Sequence, residues 1–255
     1  MAFLVLSLTC VAYGKEQESS VPARSARERP FTNSLGMKFV SVPGTKVLFS
    51  IWDTRVKDYA AFARATKRSI EKPDFSQTPT DPAVMISWQD AKAFCKWLTE
   101  MEKRKGTISA DAEYRLPTDA EWSMAVGLPE ETGKSPEEKS ASILDVYPWG
   151  TQWPAPQGAG NYDPSMGVDS FAHTSPVGHF AANSCGLHDM GGNVWQWCED
   201  WYSDSKTSRV LRGGSWPNRV RVRLNSSYRF NGVPNCRGEN YGFRCVLAGR
   251  NSSRP

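Results

Sequence analysis

Apolar and polar positions along the chain switch between two periods. Phe39-Val40-Ser41-Val42-Pro43 and Val47-Leu48-Phe49-Ser50-Ile51 are β-branched and aromatic runs flanking Pro43-Gly44, which predicts two short strands around a turn. Helical spacing follows. Tyr59, Phe62 and Ala63 share one face of a helix expected from Arg55 to about Thr66, with Thr54 as its cap. Ser87, with Asp90 three residues on, opens a second helix, whose apolar stripe is Trp88, Ala91, Phe94, Cys95 and Leu98 and whose polar tail ends near Lys105-Gly106. Thr118 starts a short third helix over Asp119 to Ala125. From Pro129 to Arg212 the pattern dissolves into Gly, Pro, Asn, Asp and Ser with scattered Trp. That is loop chemistry with too many aromatics for disorder, and long ordered loops usually serve a function or are stapled, often by a metal. Further on, Arg219, Arg221 and Arg223 alternate with Val220 and Val222, which reads as a strand with one basic and one apolar face.

The two ends stand apart. Residues 2–12 are an apolar run, too short to span a bilayer, and Ala12-Tyr13-Gly14 supplies the small residues a signal peptidase reads. The expectation is export (to the periplasm, the cell surface or outside) after cleavage near Gly14, with lipid anchoring at Cys10 a weaker alternative because Ser-Leu-Thr before it makes a poor lipobox. Lys15 to Pro30 is polar and aperiodic and reads as a flexible linker; 31–249 reads as one domain, and 250–255 as a tail. Composition narrows the function classes. A net charge of +4 over 255 residues is too small for a dedicated nucleic-acid binder. Cys10 aside, five cysteines remain, enough for two disulfides and a free thiol in an oxidising compartment. Neither they nor His173, His179 and His188 have zinc-ligand spacing.

Six blocks then occur in order. They are Ser87-Trp88-x-x-Ala91-x-x-Phe94-Cys95-x-Trp97-Leu98; Tyr114-Arg115-Leu116-Pro117-Thr118-x-Ala120-Glu121-Trp122; Tyr147-Pro148-Trp149-Gly150; Gly186-Leu187-x-Asp189-Met190-x-Gly192-Asn193-Val194-Trp195-x-Trp197; Arg212-Gly213-Gly214-Ser215-Trp216; and Tyr241-Gly242-Phe243-Arg244-Cys245. This set resembles the formylglycine-generating-enzyme (sulfatase-modifying-factor) family from Asn33 to about Leu247. The resemblance implies an α+β fold of the C-type-lectin-like kind, with little regular secondary structure and long ordered loops. The family's enzymes oxidise a sulfatase cysteine to formylglycine with oxygen, through a cysteine pair that binds copper(I), a soft ion that selects thiolates.

Here Asn218 and Arg223 stand on those two cysteine columns, and no Cys occurs between Cys198 and Cys236. Asn is a hard neutral ligand and Arg a permanent cation, so no copper is expected. Convergence of Cys198 and Cys236 is the remaining route to a thiolate pair. The resemblance further implies a disulfide between Cys95 and Cys245 and leaves Cys185, Cys198 and Cys236 unassigned. It implies two structural calcium sites, one at Asn161, Tyr162, Asp169 and Phe171, the other at Asp189, Gly192, Val194 and Gln196. Calcium accepts side-chain and backbone oxygens alike, but Gln196 replaces a family Glu and removes a charge. The competing reading is that these residues simply make turns.

Trp216, Asn218, Arg219, Arg221, Arg223, Tyr228 and Arg229 together suggest a basic, aromatic surface in place of the catalytic site. Arginine binds carboxylate or sulfate bidentately and Trp stacks on sugar faces, so an anionic or carbohydrate-like ligand fits. The plainer alternative pairs these arginines with Glu199 and Asp200. The sequence therefore predicts a monomeric, exported, calcium-stabilised and non-catalytic module with a protein, peptide or glycan ligand and no transmembrane segment. The alternative is a formylglycine-generating or other oxidase with an unconventional metal site.

Overall fold

The computed structural model describes residues 29–249. The expected leader, most of the linker and the tail lie outside them. Fifteen short elements alternate with long loops. Strands β1 (Phe31–Thr32), β2 (Lys38–Ser41) and β3 (Leu48–Ser50) precede helices α1 (Val56–Thr66) and α2 (Trp88–Arg104). Strand β4 (Glu113–Arg115), helices α3 (Asp119–Val126) and α4 (Pro136–Lys139), and strands β5 (Trp195–Trp201), β6 (Arg209–Arg212), β7 (Phe230–Gly232), β8 (Tyr241–Gly242) and β9 (Val246–Ala248) follow, with 3-10 turns at Pro164–Met166 and Arg221–Leu224. This is the expected α+β architecture, poor in regular structure.

The predicted hairpin is present, with Val40 opposite Phe49. It joins a five-stranded sheet in the order β1-β2-β3-β9-β4, in which β9 returns late in the chain to pair between β3 and β4. A second sheet runs β7-β6-β5-β8. Its strands β5 and β6 fall inside or at the end of the stretch that patterning reads as loop. Trp195, Gln196, Trp197 and Cys198 are all buried, so β5 shows no in-out alternation.

Local signals set the helix starts. At α2, Asp90 N donates to Ser87 Oγ at 3.1 Å and Ser87 N to Asp90 Oδ2 at 3.2 Å. Thr118 and Glu121 repeat that box at α3, which Gly127 ends in a left-handed conformation at φ 86°. The cap of α1 is Arg55 rather than Thr54: Asp58 accepts Arg55 N at 3.1 Å and Arg55 Nε at 2.8 Å, while Thr54 is sealed and its N–H is committed to Phe243 O. The main core packs Phe62, Phe94, Leu98, Trp197 and Phe243 between α1, α2 and both sheets. A second cluster holds Trp122, Met190, Cys198, Val210 and Val246. Among the described residues no helix is long and apolar enough to cross a membrane.

Candidate functional site

The segment after β6 turns sharply. Gly213 and Gly214 have φ of 97° and 76°, a conformation that costs other residues strain, and a Cβ on Gly213 would stand 3.2 Å from Met190 O. The turn aims Ser215 inward. Asn218 is only 8% exposed. Its Oδ1 accepts Ser215 N at 2.8 Å and Ser215 Oγ at 3.0 Å, and Asn240 Nδ2 donates to Ser215 Oγ at 2.8 Å. A closed amide–hydroxyl–amide network therefore stands on the first family cysteine column. Above it, Trp216 meets His173 edge-on at 4.8 Å, and Phe75 stacks on His173 at 4.3 Å. Arg223, on the second column, is exposed and has no ion-pair partner among the described residues.

In place of the expected strand over Arg219–Arg223 there is a 3-10 turn at Arg221–Leu224, with Val220 as its cap. Arg223 N donates to Val220 O at 2.8 Å, and Asn225 Nδ2 donates to Val222 O at 3.1 Å, which curls the segment. Val220 and Val222 are 51% and 41% exposed rather than turned to a core. Arg219 pairs with Asp163 at 3.5 Å and Arg221 with Asp145 at 2.9 Å. Neither reaches Glu199, which pairs with Lys92, or Asp200, which accepts Asp119 N. Arg221 also donates to Tyr147 Oη at 2.9 Å and lies 5.2 Å from the centre of the Trp153 ring. Tyr147 stacks on Trp149 at 4.8 Å. Sequence reading missed this aromatic bracing; the Tyr147–Gly150 block was its only signal.

Two expected surface residues turn inward, Arg229 fully and Tyr228 in part. Arg229 is 2% exposed. It donates to Asp119 and to Glu131, and Asp119 also takes Arg212. Burial opposes ionisation of Asp119, but the two guanidiniums outweigh it and hold its carboxyl below the usual range. Tyr228 packs against Trp195 at 6.0 Å, at the edge of the main core. The basic surface is therefore Arg219, Arg221 and Arg223, without Arg229 or Tyr228.

The calcium columns separate. Asp169 gathers the first set, accepting Tyr162 N at 2.9 Å and Phe171 N at 2.8 Å. Asn161 is fully buried, and its Oδ1 has no hydrogen-bond partner. An orphaned buried oxygen, in a set that also supplies the Asp169 carboxylate, fits a hard cation. At the second set, Gln196 Oε1 accepts both Trp122 Nε1 at 2.9 Å and Arg244 Nε at 2.8 Å. Two donors on one atom fix it as the oxygen, so the NH2 group faces Asp189 O, at 2.6 Å. Gln196 thus presents a donor where a cation would need an acceptor, and the second set does not fit calcium.

Cys95 and Cys245 are both buried, with sulfurs 3.6 Å apart, and are free thiols. Burial, then the contact with Cys245, raises the Cys95 thiol pKa. Cys198 is sealed in the second core cluster, whereas the Cys236 sulfur lies against Arg237 O on an outer loop. They do not converge. Among the described residues no group of three or more His, Cys, Asp or Glu side chains is arranged to hold a metal.

Comparison with known proteins agrees with the motifs. Residues 16–248 match the sulfatase-modifying factor enzyme 1-like domain. The formylglycine-generating enzyme of Thermomonospora curvata is 30% identical over 238 residues, covering 80% of this chain and 68% of that protein. The inactive C-alpha-formylglycine-generating enzyme 2 of Bos taurus is 32% identical over 184 residues, covering 66% of this chain and 51% of that protein. In fold, the chain is similar to PvdO from Pseudomonas aeruginosa, with a TM-score of 0.62 at 20% identity over 88% of this chain and 99% of that one. The six ordered blocks, the fold they form and these relatives make the chain a member of the sulfatase-modifying-factor (formylglycine-generating-enzyme) family.

Proposed function

We propose that this domain is a non-catalytic, exported binding module that takes an anionic ligand at the Arg219–Arg223 turn. One observation carries the reading. Asn218 stands where the family's first thiolate would be, and its amide oxygen is spent on two hydrogen bonds from Ser215. No soft ligand is left there for copper(I). A relative named as inactive, at 32% identity, supports the same reading. The ligand class follows from the neighbouring surface. Three arginines project from one turn; Arg219 and Arg221 are 65% and 51% exposed, and Arg223 lacks an acid partner among the described residues. Arg221 is held in place by Tyr147 and Asp145, so little side-chain freedom is lost when it meets a sulfate or carboxylate. Trp153 beside it offers a ring for a sugar face.

Structural calcium belongs to this proposal, at Asn161, Tyr162, Asp169 and Phe171 only. It would take up the orphaned Asn161 oxygen and pin the loop that Asn161 ties to Asn193, just before β5. Export is proposed from the apolar run at 2–12 and the small residues up to Gly14.

The experiment is a glycan array spanning neutral, carboxylated and sulfated sugars, followed by titration of the strongest ligand. Acidic sugars are expected to bind in a salt-dependent way, and Arg221→Ala and Arg223→Ala to weaken binding about tenfold each, the order of one charge-assisted hydrogen bond. Binding of neutral sugars alone, or indifference to both substitutions, would overturn the ligand assignment.

A further inference from the structure

Beyond the Tyr147–Trp149 stack that braces Arg221, a cavity of about 330 Å³ opens between the loops 156–160 and 180–183. Its walls are apolar side chains, among them Pro148, Trp149, Phe180, Leu187 and Met190, together with backbone. The polar side chains at its edge are largely committed elsewhere. Asn183 donates to Ala125 O and accepts Cys185 N and Leu187 N, and Gln157 donates to Val168 O. The lining contains one ionisable residue, Asp189, and no Lys, Arg or His.

Asp189 has an unusual setting. Its backbone is left-handed, at φ 53°, and the side chain lies in a residue only 6% exposed. Oδ2 accepts Gly178 N at 2.9 Å. Oδ1 takes no hydrogen bond among the described residues, yet it is not among the sealed, unpartnered atoms, so it reaches open space, and the space Asp189 lines is the cavity. No cation lies within 4 Å of the carboxylate among the described residues. The nearby Arg244 makes its ion pair with Asp53, at 3.5 Å, and spends its other donors on Gln196, Ser50, His188 and the Asp189 carbonyl. Asp53 differs: its carboxylate is fully sealed and faces Arg244.

A buried carboxylate with an open oxygen and no ion pair within 4 Å among the described residues favours a cation from outside. A divalent metal is poorly served, because Gln196 turns its NH2 toward the Asp189 backbone and no cluster of three metal-ligating side chains surrounds the site. An organic ammonium needs less. One carboxylate oxygen takes an N–H, aromatic rings nearby favour the charge, and apolar walls cover an alkyl arm. The volume sits at the small end of ligand pockets, enough for a chain of about four carbons.

We infer that this cavity binds a primary ammonium group on an unbranched alkyl arm, the nitrogen at Asp189 Oδ1 and the arm along Trp149 and Phe180. Free alkylamines and the lysine side chain of a peptide share this chemistry. The inference does not rest on the anionic ligand at Arg219–Arg223, which has the opposite charge and whose arginines do not line the cavity.

Calorimetric titration of the whole protein with n-butylammonium chloride, Nα-acetyl-lysine amide and 1-butanol tests it. Butylammonium is expected to bind saturably while 1-butanol of the same length does not, and Asp189→Asn to weaken binding at least about tenfold. Binding of the lysine amide as well would point to a peptide source, and binding of butylammonium alone to a free amine; either supports the site. Ala182→Trp, at an exposed position on the rim, blocks the mouth without touching the core and serves if Asp189→Asn fails to fold. Absence of butylammonium binding, equal binding of 1-butanol, unchanged binding in Ala182→Trp, or competitive displacement by calcium would each overturn it.

Discussion

Replacing Asp119 with alanine should cost this protein more stability than any change on its arginine turn. Asp119 is 3% exposed and serves two guanidiniums whose side chains are fully buried. Arg229 Nε and NH2 reach its two oxygens at 3.1 and 2.9 Å, and Glu131 takes the remaining face of Arg229, at 2.7 Å. Two positive and two negative groups thus balance in one sealed cluster. Asp119→Ala leaves Arg212 with Ser123 and a backbone carbonyl but no acid, so one positive charge is stranded. Stranding a buried charge costs roughly 3–5 kcal/mol. For a domain of this size that lowers Tm by on the order of 10 °C. Scanning calorimetry at pH 7 reads it directly. The acid limb gives an independent check. Because the folded state holds the Asp119 carboxyl below its ordinary value, its stabilisation is complete above a pH of about 4 and is lost as pH falls through the depressed folded pKa. The variant should show a shallower loss of stability over that acid range. A penalty under about 1 kcal/mol, with an unchanged acid limb, would mean that Arg212 and Arg229 are solvated, and would return Arg229 to the ligand surface.

Other consequences are separately measurable. Chelation of calcium should lower Tm in the wild type, and Asn161→Ala should abolish that shift, since the orphaned oxygen is then gone. Gln196→Glu should be destabilised without calcium, because a second oxygen would then face Asp189 O, and native mass spectrometry should count one more calcium on it than on the wild type. In oxidising conditions Cys95 and Cys245 should form a disulfide, closing a loop that spans 150 positions; intact mass under non-reducing alkylation detects it, and reduction should cost ~5 kcal/mol by the chain-entropy relation.

What could be read from the sequence was what is local. The boxes at Ser87 with Asp90 and Thr118 with Glu121 span three residues and start their helices where patterning expects. Strand β5 escaped because it is buried on both faces and pairs with residues far along the chain, Trp195 with Tyr241 and Gln196 with Arg212. Arg219–Arg223 misled because basic–apolar alternation is the same in an exposed curl as in an edge strand, and only the sheet, which offers no partner there, decides between them. Arg229 misled for a related reason: its acids lie 110 and 98 positions away, and nothing near it in sequence announces burial. Family motifs carried what periodicity did not. They located the Ser215–Asn218 turn, but the hydrogen bonds that close it, and the Tyr147 brace on Arg221, 74 positions apart, appear only in three dimensions.

The most direct test of the central claim is chemical. Purified protein, incubated with copper and oxygen and a peptide carrying the Cys-x-Pro-x-Arg sulfatase sequence, should leave the peptide cysteine unchanged by mass spectrometry, because Asn218 is locked to Ser215 and Arg223 repels a metal. Catalytic conversion of that cysteine to formylglycine would contradict the account.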